Sequence, residues 1–165
     1  MRSSSPLCAA VVALLMFGAA LVPAADAAEE APLPRFASLR SDEVNLRAGP
    51  GTQYPVEWVF LRRDLPVEIV AEYGRWRKVR DIDGSVGWVH QSLLSRRRWV
   101  MVTGVVQALY RKPAEDADTM LRAEPGVLGR LLKCWKEWCR IDIAGHVGWL
   151  MRRHLWGVYA DESVE

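Results

Sequence analysis

The 165-residue sequence has few of the residues from which metal and redox sites are built: three cysteines and three histidines. The two downstream cysteines, Cys134 and Cys139, are not in C-x-x-C spacing, and no second ligand cluster accompanies them, so neither a zinc site nor a thioredoxin-like redox site is indicated. The net charge of +2 is too small to indicate nucleic-acid binding. Beyond the N-terminal region, no stretch is apolar enough to span a membrane, and none shows sustained helical periodicity.

The N-terminal region is predicted to be an export signal. Arg2 precedes an uncharged apolar run from Leu7 to Val22, and Ala25-Asp26-Ala27 presents small residues where a signal peptidase reads them. An uncleaved anchor is the alternative, but the run is shorter than the roughly 20 residues that a spanning helix needs. We therefore expect cleavage after Ala27, no stable membrane span after processing, and a location in the periplasm or extracellular cell envelope.

The rest of the chain contains two copies of one unit of about sixty residues. "GRWRKVRDIDGSVGWVHQSLL" (74–94) aligns with "KEWCRIDIAGHVGWLMRRHL" (136–155) with a single deletion. Trp76 matches Trp138, and both copies keep a Gly-Trp step in their last strand. A repeat of this length predicts one small folded unit used twice.

Each unit is predicted to consist of short strands joined by tight turns. "PVEIVAEY" and "WRKVRDI" are rich in alternating β-branched residues and are separated by Gly74-Arg75, a two-residue hairpin signal. Asp83-Gly84 marks a second hairpin. A calcium loop is the alternative at "DIDG", but the remaining ligands are missing at their spacing. Turn-dense all-β units of this size are typical of compact barrels.

Residues 44–94 resemble a bacterial SH3-like domain. The "N-L-R-x-G-P-G" opening, the "V-x-I-V" strand, the "W-x-x-V" strand and the closing "G-W-V" follow that family's order. The second copy keeps "EWCRI", the turn glycine and "VGWL" but has "YRKPAED" in place of the first motif. The resemblance implies partly open five-stranded barrels that bind peptidoglycan, peptides or partner proteins in exported bacterial proteins and have no catalytic residues of their own.

The predicted organisation is therefore an all-β chain of two tandem small SH3-like partly open barrels after a cleaved signal peptide. We expect a signal peptide at 1–27, a Pro/Ala linker at 28–36, a first SH3-like domain at 37–97, a second, divergent one at 98–159 and a frayed acidic tail at 160–165. The connection "SRRRWV" contains neither Gly nor Pro. We therefore expect the two barrels to pack together, with Trp99 buried between them.

Strand alternation predicts an aromatic and basic outer face on each barrel. Val79 must face the core, which places Trp76 and Lys78 on the opposite side, while Val70 and Leu132 of the preceding strands are expected to face inward. The candidate ligand-binding residues of the first domain are Tyr54, Glu57, Trp58, Tyr73, Trp76, Lys78 and Trp88, the first three placed in a long loop. Weaker candidates in the second domain are Trp135, Trp138, Arg140 and Trp149, of which Trp135, Trp138 and Arg140 are expected on its outer face.

These rings and cations have two interpretations. Stacked rings beside cations suit sugar rings that bear carboxylates, or a peptide. Alternatively, the rings pack as cross-strand pairs or against the neighbouring barrel, which stabilises a sheet by roughly 0.2–1 kcal/mol per pair.

The stretch "CWKEWC" is predicted to be a hairpin closed by a disulfide. With Lys136-Glu137 as the turn, Cys134 and Cys139 form the second cross-strand pair, at a Cα separation that suits a disulfide. The same position in the first copy holds Glu72 and Arg77, for which we expect an ion pair. A cysteine nucleophile is the alternative, but thiols that face the core are not activated.

The sequence thus predicts an exported, non-enzymatic protein without a metal or another cofactor. Its leading predicted function is recognition of peptidoglycan or a wall-associated glycan in the cell envelope through an aromatic-basic surface. The alternative is a protein–protein interaction adaptor for another envelope protein.

Overall fold

A computed structural model of the protein describes residues 32–165. The predicted signal peptide and the first part of the predicted linker lie outside these residues. The first half contains β1 (Arg35–Leu39), β2 (Val44–Arg47), β3 (Val56–Phe60), β4 (Pro66–Tyr73), β5 (Trp76–Arg80), β6 (Val86–His90) and β7 (Leu94–Ser95). The second half contains β8 (Trp99–Val102), β9 (Gln107–Tyr110), β10 (Thr119–Ala123), β11 (Leu128–Trp135), β12 (Trp138–Ile143), β13 (His146–Met151) and β14 (Leu155–Trp156).

The helical content of the described residues is two short 3₁₀ turns, Gln91–Leu93 and Arg152–His154. Each turn stands before the last short strand of its half. In residues 32–165 no helix has the length and apolar character needed to cross a membrane. The predicted all-β fold class is confirmed.

The two halves have the same topology. The strand order is β3-β2-β6-β5-β4-β1-β7 in the first sheet and β10-β9-β13-β12-β11-β8-β14 in the second. Adding seven to each strand number of the first sheet reproduces the second, so the internal repeat seen in the sequence is a repeat of fold. This result confirms two tandem SH3-like barrels, each with two more short strands than the resemblance implied.

Each barrel has its own hydrophobic core. The first core is built around Leu39, Val67, Val79 and Val89, none of which has any exposed surface. The second core contains Ile141, the counterpart of Val79, which is likewise fully buried. Because each sheet curls around its own inward-facing side chains, the opposite faces of the strands remain available for other contacts.

The prediction that Val70 and Leu132 face the core is wrong. The core residues are instead their predecessors, Ile69 and Leu131, while Val70 and Leu132 are only half-buried. The reason is a bulge in each hairpin, where the pairing shifts between Ile69 and Ala71 and between Leu131 and Lys133. One extra residue on the bulged strand reverses the alternation of faces beyond that point.

The Cys134–Cys139 disulfide is confirmed. The two residues are directly opposite each other in the β11–β12 hairpin, with Cα atoms 4.0 Å apart. In the first barrel the equivalent pair is Glu72 and Arg77, joined by an ion pair of 3.1 Å, as expected. The same position is therefore fastened covalently in one barrel and electrostatically in the other.

The barrels pack against each other, as predicted, through aromatic residues. The ring of Phe36 lies 5.0 Å from that of Trp156 and 4.7 Å from that of Tyr159. The indole N–H of Trp156 also donates to the carbonyl of Pro66. The predicted burial of Trp99 at this junction is wrong in detail, since its side chain is only half-buried and its backbone N–H makes the cross-barrel contact, to Ser38.

The acidic tail is not frayed, contrary to the prediction. Glu162 forms an ion pair with Arg98, and the buried Arg152 donates to the tail carbonyls of residues 160 and 162 and to the carbonyl of residue 159 just before them. Val164 then forms an antiparallel bridge with Cys134. Arg98 lies 64 positions before Glu162, whereas Arg152 lies 7 to 10 positions before the carbonyls that it contacts, and composition alone indicated neither set of partners.

Candidate functional site

The outer face of the first barrel carries a row of three side chains from neighbouring strands. Lys78 on β5 stands opposite Trp88 on β6, and Trp88 stands opposite Arg47 on β2. Residues directly opposite in an antiparallel pair have side chains on the same face, about 4.5–5.5 Å apart at Cβ. An indole is therefore flanked on both sides by cationic side chains.

A second row lies beside the first, toward the β4–β5 turn. Trp76 stands opposite Tyr73 in one hairpin and opposite His90 in the other. The Trp76 and His90 rings meet edge to face, with centroids 5.4 Å apart. His90 was not predicted as a site residue, although its place two residues after Trp88 on the same strand was a usable signal.

The long loop between β2 and β3 is anchored to this face by Arg47. Its guanidinium donates to the carbonyls of Thr52 and Tyr54, at 3.2 and 2.8 Å. The ring of Tyr54 covers Gly49 so closely that a Cβ there would lie 2.4 Å from the ring. Gly49, the first glycine of the "G-P-G" motif, thus allows the Tyr54 ring to pack directly on the loop backbone.

We refer to Arg47, Tyr73, Trp76, Lys78, Trp88 and His90 as the aromatic-basic face. Tyr73 is 67% exposed, while the other five side chains are half-buried. The face is thus a shallow, partly buried surface and not an enclosed pocket. A surface of this kind suits an extended ligand better than a small molecule that requires enclosure.

Two predicted site residues lie elsewhere. Glu57 and Trp58 are on strand β3 and not in a loop, which corrects the prediction. Trp58 stands opposite the core residue Leu46, so it lies on the inner side of the sheet at the open edge of the barrel. Because it lies on the inner side, Trp58 belongs to a different surface from the aromatic-basic face, and 60% of its own surface is exposed there.

The second barrel has a related but altered outer face. Lys133, Arg140, Trp149 and Tyr110 form one row across four strands, and the ammonium of Lys133 lies 5.6 Å from the centre of the Trp149 ring. Trp135 is 55% exposed at the hairpin tip. Trp135 and Arg140 therefore lie on the outer face, as predicted, and Trp149 lies on the same face.

Trp138 lies on this face as well, opposite Trp135, but it is covered, so its predicted exposure is wrong. Its side chain is 9% exposed, and its ring meets the edge of the Tyr110 ring at 5.7 Å. Tyr110 occupies the place of Arg47, because each stands opposite the equivalent tryptophan. The ring of Tyr110 covers the indole of Trp138, so the second barrel has less exposed aromatic surface for a ligand.

Two observations bear on chemistry. Both cysteines of the described residues are joined in the disulfide. Within 32–165, no group of three or more His, Cys, Asp or Glu side chains is placed to hold a metal ion. Within the aromatic-basic face, the Trp76 and His90 rings are in edge-to-face contact, and Arg47 and His90 form hydrogen bonds.

Sequence comparison supports the repeat. A family model described as "Bacterial SH3 domain" matches residues 40–96 and again residues 103–157. No curated protein sequence matches the chain.

Two solved structures show a distant likeness. NlpC2 of Trichomonas vaginalis is 14% identical, with a TM-score of 0.36 over 79% of this chain and 51% of that one. NlpC1 of the same organism is 15% identical, with a TM-score of 0.34 over 78% and 48%. The chain thus spans about half the length of these two proteins.

Proposed function

The chain belongs to the bacterial SH3 domain family, whose members are often cell-wall binding modules, and from this premise we propose that it is a non-catalytic binding module of the cell envelope. Its ligand is peptidoglycan or a wall-associated glycan, and the aromatic-basic face of the first barrel makes the contact.

The observation that carries this proposal is the row Arg47–Trp88–Lys78 beside the Trp76–His90 pair. An indole face offers a flat apolar platform for the C–H side of a sugar ring, and the flanking guanidinium and ammonium groups pair with carboxylates. Peptidoglycan carries both features, since its sugars and peptide stems bear carboxylates. The loop closed by Tyr54 borders the same row and lengthens the contact surface.

The disulfide supports an oxidising compartment such as the periplasm or the extracellular envelope. It also supports a non-catalytic function, because a thiol in a disulfide is not available as a nucleophile. A cysteine nucleophile is thus excluded at this pair, and the proposal assigns binding to the exposed face.

A pull-down on purified peptidoglycan tests the proposal. We expect the wild-type protein to be retained and Trp76→Ala to lose most of the retention. Trp58→Ala is the matched control, because it removes an exposed tryptophan from a different surface. Equal retention of all three proteins would exclude the aromatic-basic face as the contact.

An adaptor function makes a different prediction. In-cell crosslinking would then yield one envelope protein in stoichiometric amount, and purified wall material would retain neither the wild type nor the variants. That pair of results would replace the glycan proposal.

A further inference from the structure

A second concave surface lies where the two barrels meet, away from the aromatic-basic face. It is a cleft of about 390 Å³ between strand β3, the start of β4 and the β5–β6 turn. Phe60 and Val67 form its floor and are 6% and 0% exposed, while Trp58 and Ile82 form its lips and are 60% and 39% exposed. Met101 of the second barrel adds a side chain to its wall.

The polar groups of the cleft carry negative charge. Asp81 and Asp83 line it, and none of the described residues that line it is a lysine or an arginine. Asp81 is held in place because its Oδ1 accepts hydrogen bonds from the backbone N–H groups of Asp83 and Ser85, at 3.0 and 2.8 Å. The side chain of Asp83 is at the exposed rim, in a turn that is ordered before any ligand binds.

The nearest arginines are engaged elsewhere. Arg80 is paired with Glu68, and Arg62 donates to the carbonyl of Gly126. Neither arginine lines the cleft. An apolar floor, an exposed indole and two carboxylates together favour a ligand with an aliphatic stem and a cationic head, because the stem loses contact with water while the head meets the carboxylates and the ring face.

The strand beside the cleft favours a peptide as the carrier of that group. β3 is the last strand in the order of its sheet, and in the part of the chain that the structure describes it pairs with β2 alone. Its other edge presents backbone N–H and C=O groups of the kind that an added extended strand satisfies.

The second barrel does not keep the side chains that form this cleft, so these side chains are not a general requirement of the fold. The residues in place of Trp58 and Phe60 are Leu121 and Ala123, as their pairing with β9 shows. The "DIDGS" turn is shortened there to Ala144-Gly145. The large rings and the acidic turn thus occur together in the first barrel and are lost together in the second.

We propose that the cleft binds an extended peptide by inserting a lysine-type cationic side chain between Trp58 and Asp83 while the peptide backbone pairs with β3. This site is separate from the proposed glycan contact and goes beyond it. The occupant is a peptide from another molecule, recognised by an aliphatic stem with a terminal cation.

Fluorescence polarisation with three labelled eight-residue peptides tests the proposal. All three alternate valine and threonine, except that their fourth residue is lysine, norleucine or glutamate. We expect the lysine peptide to bind about tenfold more tightly than the norleucine peptide and the glutamate peptide to bind most weakly. Equal affinity for the three peptides, or no binding of the lysine peptide, would overturn the proposal.

Four variants of the full chain locate the binding. Trp58→Ala and Asp83→Asn alter exposed side chains, and each is expected to weaken the lysine peptide about tenfold. Asp116→Asn, at an exposed aspartate of the second barrel, and Trp76→Ala are the controls and are expected to bind as the wild type does. Loss of binding in Trp76→Ala would move the peptide to the aromatic-basic face and refute the cleft, and so would unchanged binding in Trp58→Ala and Asp83→Asn.

Discussion

The phenol of Tyr159 donates a 2.7 Å hydrogen bond to Glu68, a residue of the other barrel 91 positions earlier in the chain. Glu68 is 3% exposed, and its second carboxylate oxygen accepts from Arg80. A buried carboxylate needs such partners, because an unsatisfied one pays the full cost of leaving water. The junction between the barrels therefore combines this hydrogen bond with the ring contacts of Phe36, Trp156 and Tyr159.

The first prediction concerns the loss of this hydrogen bond. Tyr159→Phe keeps the ring against Phe36 but leaves Glu68 one donor short. We expect the free energy of unfolding to fall by about 1–3 kcal/mol, measured by urea denaturation. Tyr73→Phe is the control. Its side chain is 67% exposed, so loss of its hydroxyl group should leave the denaturation midpoint unchanged. Equal midpoints for the wild type and Tyr159→Phe would contradict the contact.

The second prediction concerns alkaline pH. Burial, and then the hydrogen bond to Glu68, raise the pKa of Tyr159 well above its ordinary value of 10.0. A group whose pKa is raised in the folded state stabilises the fold fully below its unfolded pKa and loses that contribution as pH rises through the folded pKa. The free energy of unfolding should therefore fall more steeply from pH 10 upward in the wild type than in Tyr159→Phe. Parallel profiles for the two proteins would refute this assignment.

The third prediction concerns acid and the C-terminal tail. Burial alone would raise the pKa of Glu162, but the hydrogen bond from Arg98, the backbone N–H of Tyr159 and the charges of Arg98 and Arg152 together lower it below its ordinary value of 4.5. The stability from this carboxylate is thus present above pH 4.5 and is lost as pH falls through the lowered pKa.

Glu162→Gln should therefore unfold more easily at pH 7, by about 1–3 kcal/mol, and should lose less further stability on acidification than the wild type does. Urea denaturation at pH 7 and pH 3 measures both effects. Glu165→Gln, at an exposed residue of the same tail, should behave as the wild type at both values. If Glu162→Gln loses as much free energy of unfolding between pH 7 and pH 3 as the wild type does, the ion pair with Arg98 contributes nothing to stability.

The fourth prediction concerns the disulfide. Removing the link in Cys134→Ala/Cys139→Ala should lower the free energy of unfolding by roughly 2 kcal/mol, because the closed loop is short. Adding a reductant should lower the stability of the wild type and leave the double variant unchanged. Thiol titration of the unreduced, unfolded protein after signal removal should find no free thiol, and a count of two would contradict the pairing.

The fifth prediction concerns a close approach at the barrel junction. Gly157 has φ 111°, and a Cβ there would lie 2.7 Å from the carbonyl oxygen of Trp99 and 2.9 Å from Pro66. Gly104 also has a positive φ, of 77°, but no atom lies within 4 Å of its Cβ position. Gly104→Ala should cost about 1–2 kcal/mol from backbone strain alone, and Gly157→Ala clearly more. Equal denaturation midpoints for the two variants would show that the structure around residue 157 relaxes to accommodate the added methyl group without cost.

The hairpins were the part of the fold most accessible from sequence. The pairs Tyr73–Trp76 and Trp135–Trp138 and the disulfide all follow from counting outward from a two-residue turn. These pairs depend on residues within six positions of one another. Local turn chemistry therefore sets them without reference to the rest of the chain.

Predictions that extended further along a strand or across the molecule were less accurate. The bulges at Val70 and Leu132 reversed the faces assigned by simple alternation. Trp138 was assigned to an open face, but Tyr110, from a distant strand, covers it. A sequence pattern reports the period of a strand but not which remote side chain lies above it.

The sequence by itself determined the all-β class, the two repeated barrels, the disulfide and the alternation that gathers aromatic and basic side chains on one face. Only the tertiary structure decided the packing of Phe36 against Trp156 and Tyr159, the docking of the tail on Arg98 and the cleft between the barrels. The first group depends on turns and periodicities read within a few residues. The second depends on surfaces that meet only after each barrel has formed its own core.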